Sequence, residues 1–153
     1  ETLAARGAAL LESTPRLLVE ALLSGREFTV PVIEAHDGAL EALPVIEIRP
    51  TSAVFFDYEA KYTPGAADEI CPAPISDDLR RELQTLALNC HEALRCRGYS
   101  RTDMMLDDAG VPKVLETNTL PGLTPESLLP KSAAAAGITF DALVAQLLER
   151  ALA

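Results

Sequence analysis

Short apolar runs, each about as long as a strand, constrain the fold of this chain more than any other feature. They occupy residues 17–23, 28–33 and 43–48, and Ser24 with Gly25 separates the first two. Apolar runs of this length that end at glycine or proline are typical of strands. The first half of the chain is therefore predicted to contribute strands to a sheet.

Stretches with helical spacing of apolar residues flank these runs. One helix is predicted over residues 1–12, and a longer one, with two aspartates in its first turn, runs from Ser76 to near Gly98. A short helix that ends at Ala136 and a last one that begins at Phe140 complete the pattern. Helices and strands together predict the α+β class, without internal repeats.

The composition fits one globular domain. Hydrophobic residues make up 48% of the 153, and no apolar stretch reaches the roughly 18 residues of a membrane span. The three cysteines are an odd number without CxxC spacing, which predicts free thiols in a reducing cytoplasm. No initiator methionine or targeting pattern precedes the first helix, so we expect the chain to start inside a longer protein.

The formal net charge of -10 limits the class of partner. Nucleic acids and anionic membranes are recognised by clustered lysine and arginine, so the charge argues against both. An anionic nucleotide would bind such a chain only with the help of bound cations.

Acidic and amide side chains lie close together in a predicted hairpin. If residues 109–110 form a two-residue turn, Asp103 lies opposite Glu116 and Arg101 lies opposite Asn118. Side chains paired in this way are about 5 Å apart at their Cβ atoms, and those two residues apart share a face. Two carboxylates this close repel unless one takes up a proton or a cation lies between them.

The same hairpin therefore predicts a magnesium site. Asp, Glu and Asn oxygens that converge suit a hard octahedral Mg²⁺ that keeps water or phosphate oxygens as its other ligands. The alternative is a solvated acidic hairpin, because a change of one residue in the turn would shift the register and separate the cluster.

The segment after the hairpin predicts an anion site. Thr124 is a candidate N-cap and Pro125 a candidate first helical residue. The N–H groups of that helix start, with Ser127 and Arg101, would bind a carboxylate or a developing oxyanion. An ordinary capped helix is the alternative, but an adjacent metal site would indicate phosphoryl or acyl-phosphate chemistry.

A long irregular segment, residues 50–74, contains Lys61 and Tyr62. Loops of this length usually serve function. We expect an ordered loop in a complete enzyme, and a mobile one where its closing partners are missing.

Several motifs resemble those of D-alanine–D-alanine ligases, which are ATP-grasp carboxylate-amine ligases, along almost the whole chain. The motifs are EFTV at 27–30, DYEAKY at 57–62, CPA at 71–73, GYSRTD at 98–103, LETNTLPG at 115–122 and SLLP at 127–130. The resemblance implies the C-terminal portion of an ATP-grasp fold, a mainly antiparallel sheet packed with helices. Residues 1–49 would end the smaller nucleotide-binding subdomain, residues 50–153 would form the large catalytic subdomain, and the N-terminal and central parts would be absent from this chain.

The resemblance also implies ligand contacts. Two Mg²⁺ ions, which Mn²⁺ can replace, would bind Asp103, Glu116 and Asn118. The residues implied to contact ATP are Glu20, Ala21, Leu23, Glu27 and Lys61. Glu27 would hold the ribose and Lys61 would approach the phosphates. Each has a simpler alternative, since most glutamates and lysines are merely exposed.

The remaining implied roles concern the reaction and its second substrate. Arg101 and the Gly122 N–H would stabilise the tetrahedral oxyanion, and Ser127 and Leu128 would hold the carboxylate of the second D-alanine. Tyr62 would lie on the loop that closes over the site, although it could simply pack. The two histidines receive no role.

The function implied is the ATP-dependent ligation of two D-alanines through an acyl phosphate for peptidoglycan precursor synthesis, by a cytoplasmic homodimer. Alternatives are a related ligase with another acceptor, such as a depsipeptide ligase that makes D-Ala-D-lactate, and an inactive nucleotide-binding fragment. Tyr62 beside Lys61 favours the dipeptide. Departures from the pattern at Ala21 and Met104 are tolerable, and the fragment alone is expected to be inactive.

Overall fold

The computed structural model describes residues 2–35, 37–50 and 67–152. Within these ranges the chain forms four helices and six strands. The helices are α1 (Leu3–Leu11), α2 (Asp77–Ala93), α3 (Leu128–Ala135) and α4 (Phe140–Leu152). The strands are β1 (Glu27–Glu34), β2 (Leu40–Ala42), β3 (Ile46–Pro50), β4 (Ala67–Ile70), β5 (Tyr99–Leu106) and β6 (Pro112–Asn118). The predicted α+β class is confirmed.

Strand β1 lies at the centre of one antiparallel sheet. The order across the sheet is β4-β3-β1-β5-β6, and β2 also pairs with β1. On one side β1 pairs with β5, and on the other it pairs first with β3 and then with β2. Pro31 lies in the gap between these last two partners, where its missing N–H breaks no ladder. Its carbonyl accepts a hydrogen bond of 2.9 Å from the Leu43 N–H.

The two faces of the sheet are covered differently. Helix α2 packs on one face, over a core that contains Phe28, Val30 and Met104. Helices α3 and α4 pack on the other face only at the end that carries Ile33. The part of this second face near the start of β1 is left to the candidate site.

Helix α2 confirms the prediction of a long helix from Ser76. The Ser76 side chain caps it by accepting from the Leu79 N–H. The helix ends at Ala93 and not near Gly98, because Arg95 adopts a positive φ of 53°. The N–H groups of Arg95 and Cys96 bond back to the last turn, as in a Schellman motif.

The prediction of a strand over residues 17–23 was wrong. These residues form neither helix nor strand, and no strand among the described residues pairs with them. Leu18, Val19 and Leu22 are largely exposed. The apolar composition met the local criterion for a strand, but a strand also needs a hydrogen-bonding partner.

Two other strand predictions were correct only in part. The predicted strand over residues 43–48 is broken at Pro44, and β3 begins at Ile46. Strand β4, which pairs with β3, was not predicted because its sequence is short and polar. Residues 51–66, which include the predicted loop residues Lys61 and Tyr62, lie outside the described part of the chain.

No single helix in the described ranges is long and apolar enough to cross a membrane. Helices α3 and α4 meet the length and composition criteria only when taken together, and they are bent by 110° at their junction.

Candidate active site

The β5–β6 hairpin brings the predicted metal ligands together at the backbone. Asp103 is the Cα partner of Glu116, and Arg101 is the Cα partner of Asn118. This register was predicted from the sequence and is confirmed. Paired side chains in an antiparallel sheet lie about 5 Å apart at Cβ, so the two carboxylates are neighbours.

The predicted two-residue turn was nevertheless wrong. The Asp107 N–H donates to the Val111 carbonyl at 3.0 Å. The loop therefore contains three residues, 108–110, and ends at Gly110, which has a φ of +79°. A longer loop would move Asp103 out of register with Glu116. A β-bulge between Asp103 and Met104, with Leu115 as the extra residue, restores the register.

Asp103 is held by side chains from two strands. Asp103 as a whole is 3% exposed. The Arg101 Nε and Nη2 groups donate to its two oxygens at 2.9 Å each, and the Thr29 hydroxyl donates to Oδ1 at 2.6 Å. Such a bidentate, charge-assisted arrangement fixes the orientation of the carboxylate.

Glu116 and Asn118 complete the predicted donor set from β6. Glu116 is exposed and Asn118 is half-buried. The Asn118 Oδ1 accepts from the Leu120 N–H at 2.9 Å, which uses one of the two lone pairs of an amide oxygen. A cation can still bind the other.

The chemistry of this donor set fits a hard cation, because all three groups offer oxygen. Within residues 2–35, 37–50 and 67–152, no group of three or more His, Cys, Asp or Glu side chains is arranged to hold a metal. The predicted set, two carboxylates and one amide, is of a different kind. It matches a Mg²⁺ ion that takes its remaining ligands from water and phosphate.

Strand register places the predicted nucleotide and metal residues on the same face of the sheet. Cα partners in adjacent strands share a face, as do residues two apart along one strand. Three rows of partners result: Ile48, Glu27 and Met105; then Thr29, Asp103 and Glu116; then Pro31, Arg101 and Asn118. Neighbouring rows are about 7 Å apart along β1, so Glu27, 8% exposed, lies one row from the predicted metal ligands.

The loop between β6 and α3 brings Gly122 against Ser127. A Cβ on Gly122 would lie 2.7 Å from the Ser127 Oγ, so only glycine fits without a shift. The same Oγ accepts from the Thr124 N–H at 3.2 Å. The two residues predicted to act on the reaction and on the acceptor carboxylate are therefore in contact.

The start of α3 differs from the prediction. Thr124 does not cap the helix, because residues 124–127 form a turn closed by the Ser127 N–H on the Thr124 carbonyl at 2.9 Å. The N-cap is Ser127, and α3 begins at Leu128. Since the third helical residue, Pro130, has no N–H, the first turn can offer an anion the N–H groups of Leu128 and Leu129.

The segment between α1 and β1 that carries Glu20, Ala21 and Leu23, here called the connector, is anchored to the hairpin at its end next to β1. A Cβ on Gly25 would lie 2.2 Å from the Leu106 carbonyl oxygen, and the Leu106 N–H donates to the Arg26 carbonyl at 3.0 Å. The Ser24 hydroxyl reaches Asp108 at 3.3 Å. The end of this segment next to β1 is thereby held beside β5.

Known proteins resemble this chain over nearly its whole length. The family described as "D-ala D-ala ligase C-terminus" matches residues 1–149. The chain belongs to this family. The resemblance seen in the motifs is therefore confirmed.

A relative of this ligase family comes from Desulfotalea psychrophila and is named D-alanine–D-alanine ligase. It is 50% identical over 141 residues, which are 92% of this chain and 43% of that protein. The chain thus spans less than half the length of this relative.

Solved structures of ligases share the fold. The D-alanine–D-alanine ligase from Bacillus anthracis complexed with ATP has a TM-score of 0.75 at 34% identity and is covered to 46%, with 97% of this chain aligned. The VanG D-Ala:D-Ser ligase from Enterococcus faecalis has a TM-score of 0.68 at 31% identity and is covered to 37%, with 85% of this chain aligned. The ATP-grasp fold is therefore confirmed for this ligase-family chain.

Within this ligase-family chain the predicted site residues fall into three groups. The ranges that the structure describes bring together the predicted metal ligands with Arg101 and Glu27, and separately Gly122 with Ser127 and Leu128. The connector residues Glu20, Ala21 and Leu23 lie outside any strand, the first two exposed and the third half-buried. The sequence missed Thr29 and Gly25, because their contacts depend on pairing between strands that are distant in the chain.

Proposed function

We propose that the protein containing this chain joins two D-alanines to D-alanyl-D-alanine, with conversion of ATP to ADP and phosphate, for peptidoglycan precursor synthesis. The observation that carries the proposal is the Asp103 carboxylate, held by Arg101 and Thr29 opposite Glu116, in a chain of the D-ala D-ala ligase C-terminus family.

The nucleotide contacts are distributed along the connector and the first row of the sheet. Glu20, Ala21 and Leu23 are proposed to contact the adenine, and Glu27 the ribose. The position of Glu27, one row from Asp103, supports the ribose assignment. The ribose and the phosphates of a nucleotide are separated by about the distance between two such rows. Lys61 is proposed to approach those phosphates.

Asp103, Glu116 and Asn118 are proposed to hold two Mg²⁺ ions, or Mn²⁺ in their place. When bound, the metal neutralises charge on the phosphoryl group as it is transferred. The residues of the chain orient its ligands: Arg101 and Thr29 keep the Asp103 carboxylate in one orientation, and the β-bulge keeps Glu116 opposite it.

The proposed reaction has two steps. The carboxylate of the first D-alanine attacks the terminal phosphorus of ATP, which forms an acyl phosphate and releases ADP. The neutral amine of the second D-alanine then attacks the acyl carbon, and phosphate departs with the proton from the nitrogen as the peptide bond forms. Arg101 and the Gly122 N–H donate to the oxyanion of the tetrahedral intermediate.

The second D-alanine is proposed to bind at the start of α3. Ser127 and the Leu128 N–H would hold its carboxylate. The close approach of Gly122 and Ser127 supports this, because the two residues proposed for the oxyanion and the acceptor are neighbours. Tyr62 is proposed to lie on a loop that closes over the site. Closure would exclude water, which would otherwise hydrolyse the acyl phosphate.

A second candidate function differs only in the acceptor. The fold similarity extends to a protein titled as a D-Ala:D-Ser ligase, so the fold is compatible with more than one acceptor. A depsipeptide ligase that uses D-lactate belongs to the same group of candidates. Competition among D-alanine, D-serine and D-lactate at equal concentration distinguishes them.

The cellular setting is also a proposal. The three cysteines are free thiols, which supports a reducing cytoplasm. A homodimer, and a division of the chain near residue 50 between a nucleotide-binding and a catalytic subdomain, are proposed from the family resemblance. Analytical ultracentrifugation of the complete protein tests the dimer.

Phosphate release tests the proposed function. The complete protein, with ATP, Mg²⁺ and D-alanine, is expected to release phosphate and to form D-alanyl-D-alanine detectable by mass spectrometry. The 153-residue chain alone is expected to be inactive, because the remaining parts of the site would lie elsewhere in the protein. Absence of D-alanine-dependent release by the complete protein would contradict the function. A comparable rate from the chain alone would contradict the divided site.

A further inference from the structure

We propose that Thr29 is a positioning residue that orients the metal ligand Asp103 and reserves its Oδ2 for the cation. This inference rests on the proposed function, because it takes Asp103 as a metal ligand. Thr29 lies on β1, and Asp103 is its Cα partner on β5. The contact is therefore set by the pairing of two strands at the centre of the sheet.

The hydrogen bond between them is short and completely buried. Thr29 is 0% exposed, and its Oγ1 lies 2.6 Å from the Asp103 Oδ1. The Thr102 carbonyl is also near, but at 3.4 Å. A hydroxyl has one proton to donate, and the shorter contact to a charged oxygen takes it.

The hydrogen bonds to the carboxylate distinguish its two oxygens. In the described part of the chain, Oδ1 accepts from Thr29 and from the Arg101 Nε, whereas Oδ2 accepts only from the Arg101 Nη2. Each carboxylate oxygen has about two lone pairs. Oδ1 is thus saturated, and Oδ2 keeps a lone pair for a cation.

Thr29 supplies an anchor that Arg101 cannot supply alone. The Arg101 side chain is long, and its guanidinium is also proposed to contact the oxyanion during the reaction. Threonine is β-branched and has few χ1 rotamers. It is also fully buried and has no proposed contact with a substrate, so its hydroxyl keeps one position throughout.

The neighbouring strand provides a matched control. Thr102 is also 0% exposed, but its hydroxyl contacts Thr117 at 3.1 Å and not Asp103. Thr102→Val therefore removes a buried hydroxyl from the same sheet without touching the carboxylate. Any general effect of burying valine in place of threonine should appear in both variants.

The test is Mn²⁺ binding to the complete protein in the presence of ADP, measured by titration calorimetry. Thr29→Val should weaken Mn²⁺ binding about tenfold or more, the range known for removal of groups that orient metal ligands. Thr29→Ser, which keeps the hydroxyl, and Thr102→Val should each stay within about twofold. The Mg²⁺ concentration for half-maximal turnover should rise in Thr29→Val, with an unchanged KM for D-alanine.

Each outcome decides the proposal. If Asp103→Asn weakens Mn²⁺ binding but Thr29→Val does not, the role of Thr29 is refuted and the proposed function stands. If Asp103→Asn leaves Mn²⁺ binding unchanged, the metal assignment fails, and the role of Thr29 fails with it. If Thr29→Val does not fold, Thr29→Ala serves in its place, with thermal unfolding recorded for every variant.

Discussion

Arg26 and Glu47 form a bidentate ion pair between the start of β1 and β3, at 2.7 and 2.8 Å. Glu47 is 2% exposed, and Arg49 donates to it as well, at 2.7 Å. These guanidinium groups lower the pKa of the Glu47 carboxyl to about 2, with the Arg26 hydrogen bond as the largest cause. The pair ties the strand that carries Glu27 to its neighbour.

Loss of this pair should destabilise the protein. Arg26→Met is expected to lower the free energy of unfolding by about 2 to 4 kcal/mol, because it leaves a buried carboxylate with one partner fewer. Arg81→Met, whose partner Asp78 is exposed, is the control and should cost less than about 1 kcal/mol. Urea denaturation at pH 7 measures both. Equal losses of unfolding free energy in the two variants would show that the buried pair stabilises the protein no more than an exposed pair does.

The same pair predicts a pH dependence in acid. Because the folded pKa of Glu47 lies below the ordinary value of 4.5, its contribution to stability is complete above pH 4.5. It is lost as the pH falls from there towards about 2. Glu47→Gln should have a shallower decline in stability over that range. A variant whose decline matches the wild type would contradict the assignment.

His91 predicts a second pH dependence, in a separate window. It is 1% exposed, and its Nδ1 lies 2.8 Å from the Ser100 Oγ. Burial lowers the pKa of His91 below 6.5, against the opposing effect of Glu34. The unfolded chain therefore takes up a proton first, and stability falls as the pH drops below about 6.5, by at most about 1.4 kcal/mol per pH unit.

His91→Gln isolates this effect, because glutamine can still bond to Ser100 but does not titrate in this range. Between pH 7 and pH 5 the variant should show a flatter dependence of the unfolding free energy than the wild type. Parallel curves would mean that His91 does not titrate differently in the folded and unfolded states.

The features that could be predicted from the sequence are those that depend on a local pattern of residues. Helix α2 and the Asp103–Glu116 pairing follow from apolar spacing and alternation near one turn. The predicted pairing is correct although the predicted turn is not. The loop is one residue longer than predicted, and the bulge at Leu115 restores the register. The bulge has no recognisable local signal.

Contacts between distant segments could not be predicted from the sequence. Thr29 reaches Asp103, and Arg26 reaches Glu47, only because β1 lies between β3 and β5. No rule of composition or spacing gives that strand order. The strand prediction for residues 17–23 was wrong for a related reason. These residues have the composition of a strand, but they have no partner strand among the residues that the structure describes.

Gly25 should be essential to the position of the connector. Because a Cβ there would meet backbone, the Leu106 carbonyl, at 2.2 Å, Gly25→Ala must displace one of the two segments. We expect the KM for ATP to rise about tenfold or more, with a smaller change in the KM for D-alanine. Gly7→Ala, whose Cβ would meet only the Leu17 Cδ1 at an ordinary van der Waals distance of 3.9 Å, is the control. An unchanged KM for ATP in Gly25→Ala would show that the position of the connector does not affect nucleotide binding.

Gly122 and Ser127 should act as a coupled pair. Gly122→Ala is expected to lower kcat about a hundredfold, because a new Cβ 2.7 Å from the Ser127 Oγ shifts the N–H proposed to bind the oxyanion. Ser127→Ala should mainly raise the KM for the acceptor. The double variant should lose less than the sum of the two free-energy changes, since they share one contact. Full additivity would argue that the two residues act independently.

The turnover of Glu116→Gln in the complete protein tests the central claim most directly. Replacing the carboxylate opposite Asp103 removes a charged metal ligand but keeps the shape of the side chain. D-alanine-dependent phosphate release at limiting Mg²⁺ should fall by orders of magnitude, while circular dichroism and thermal unfolding stay close to the wild type. Unchanged turnover at limiting Mg²⁺ would contradict the account, because the hairpin would then not be the metal site of a ligase.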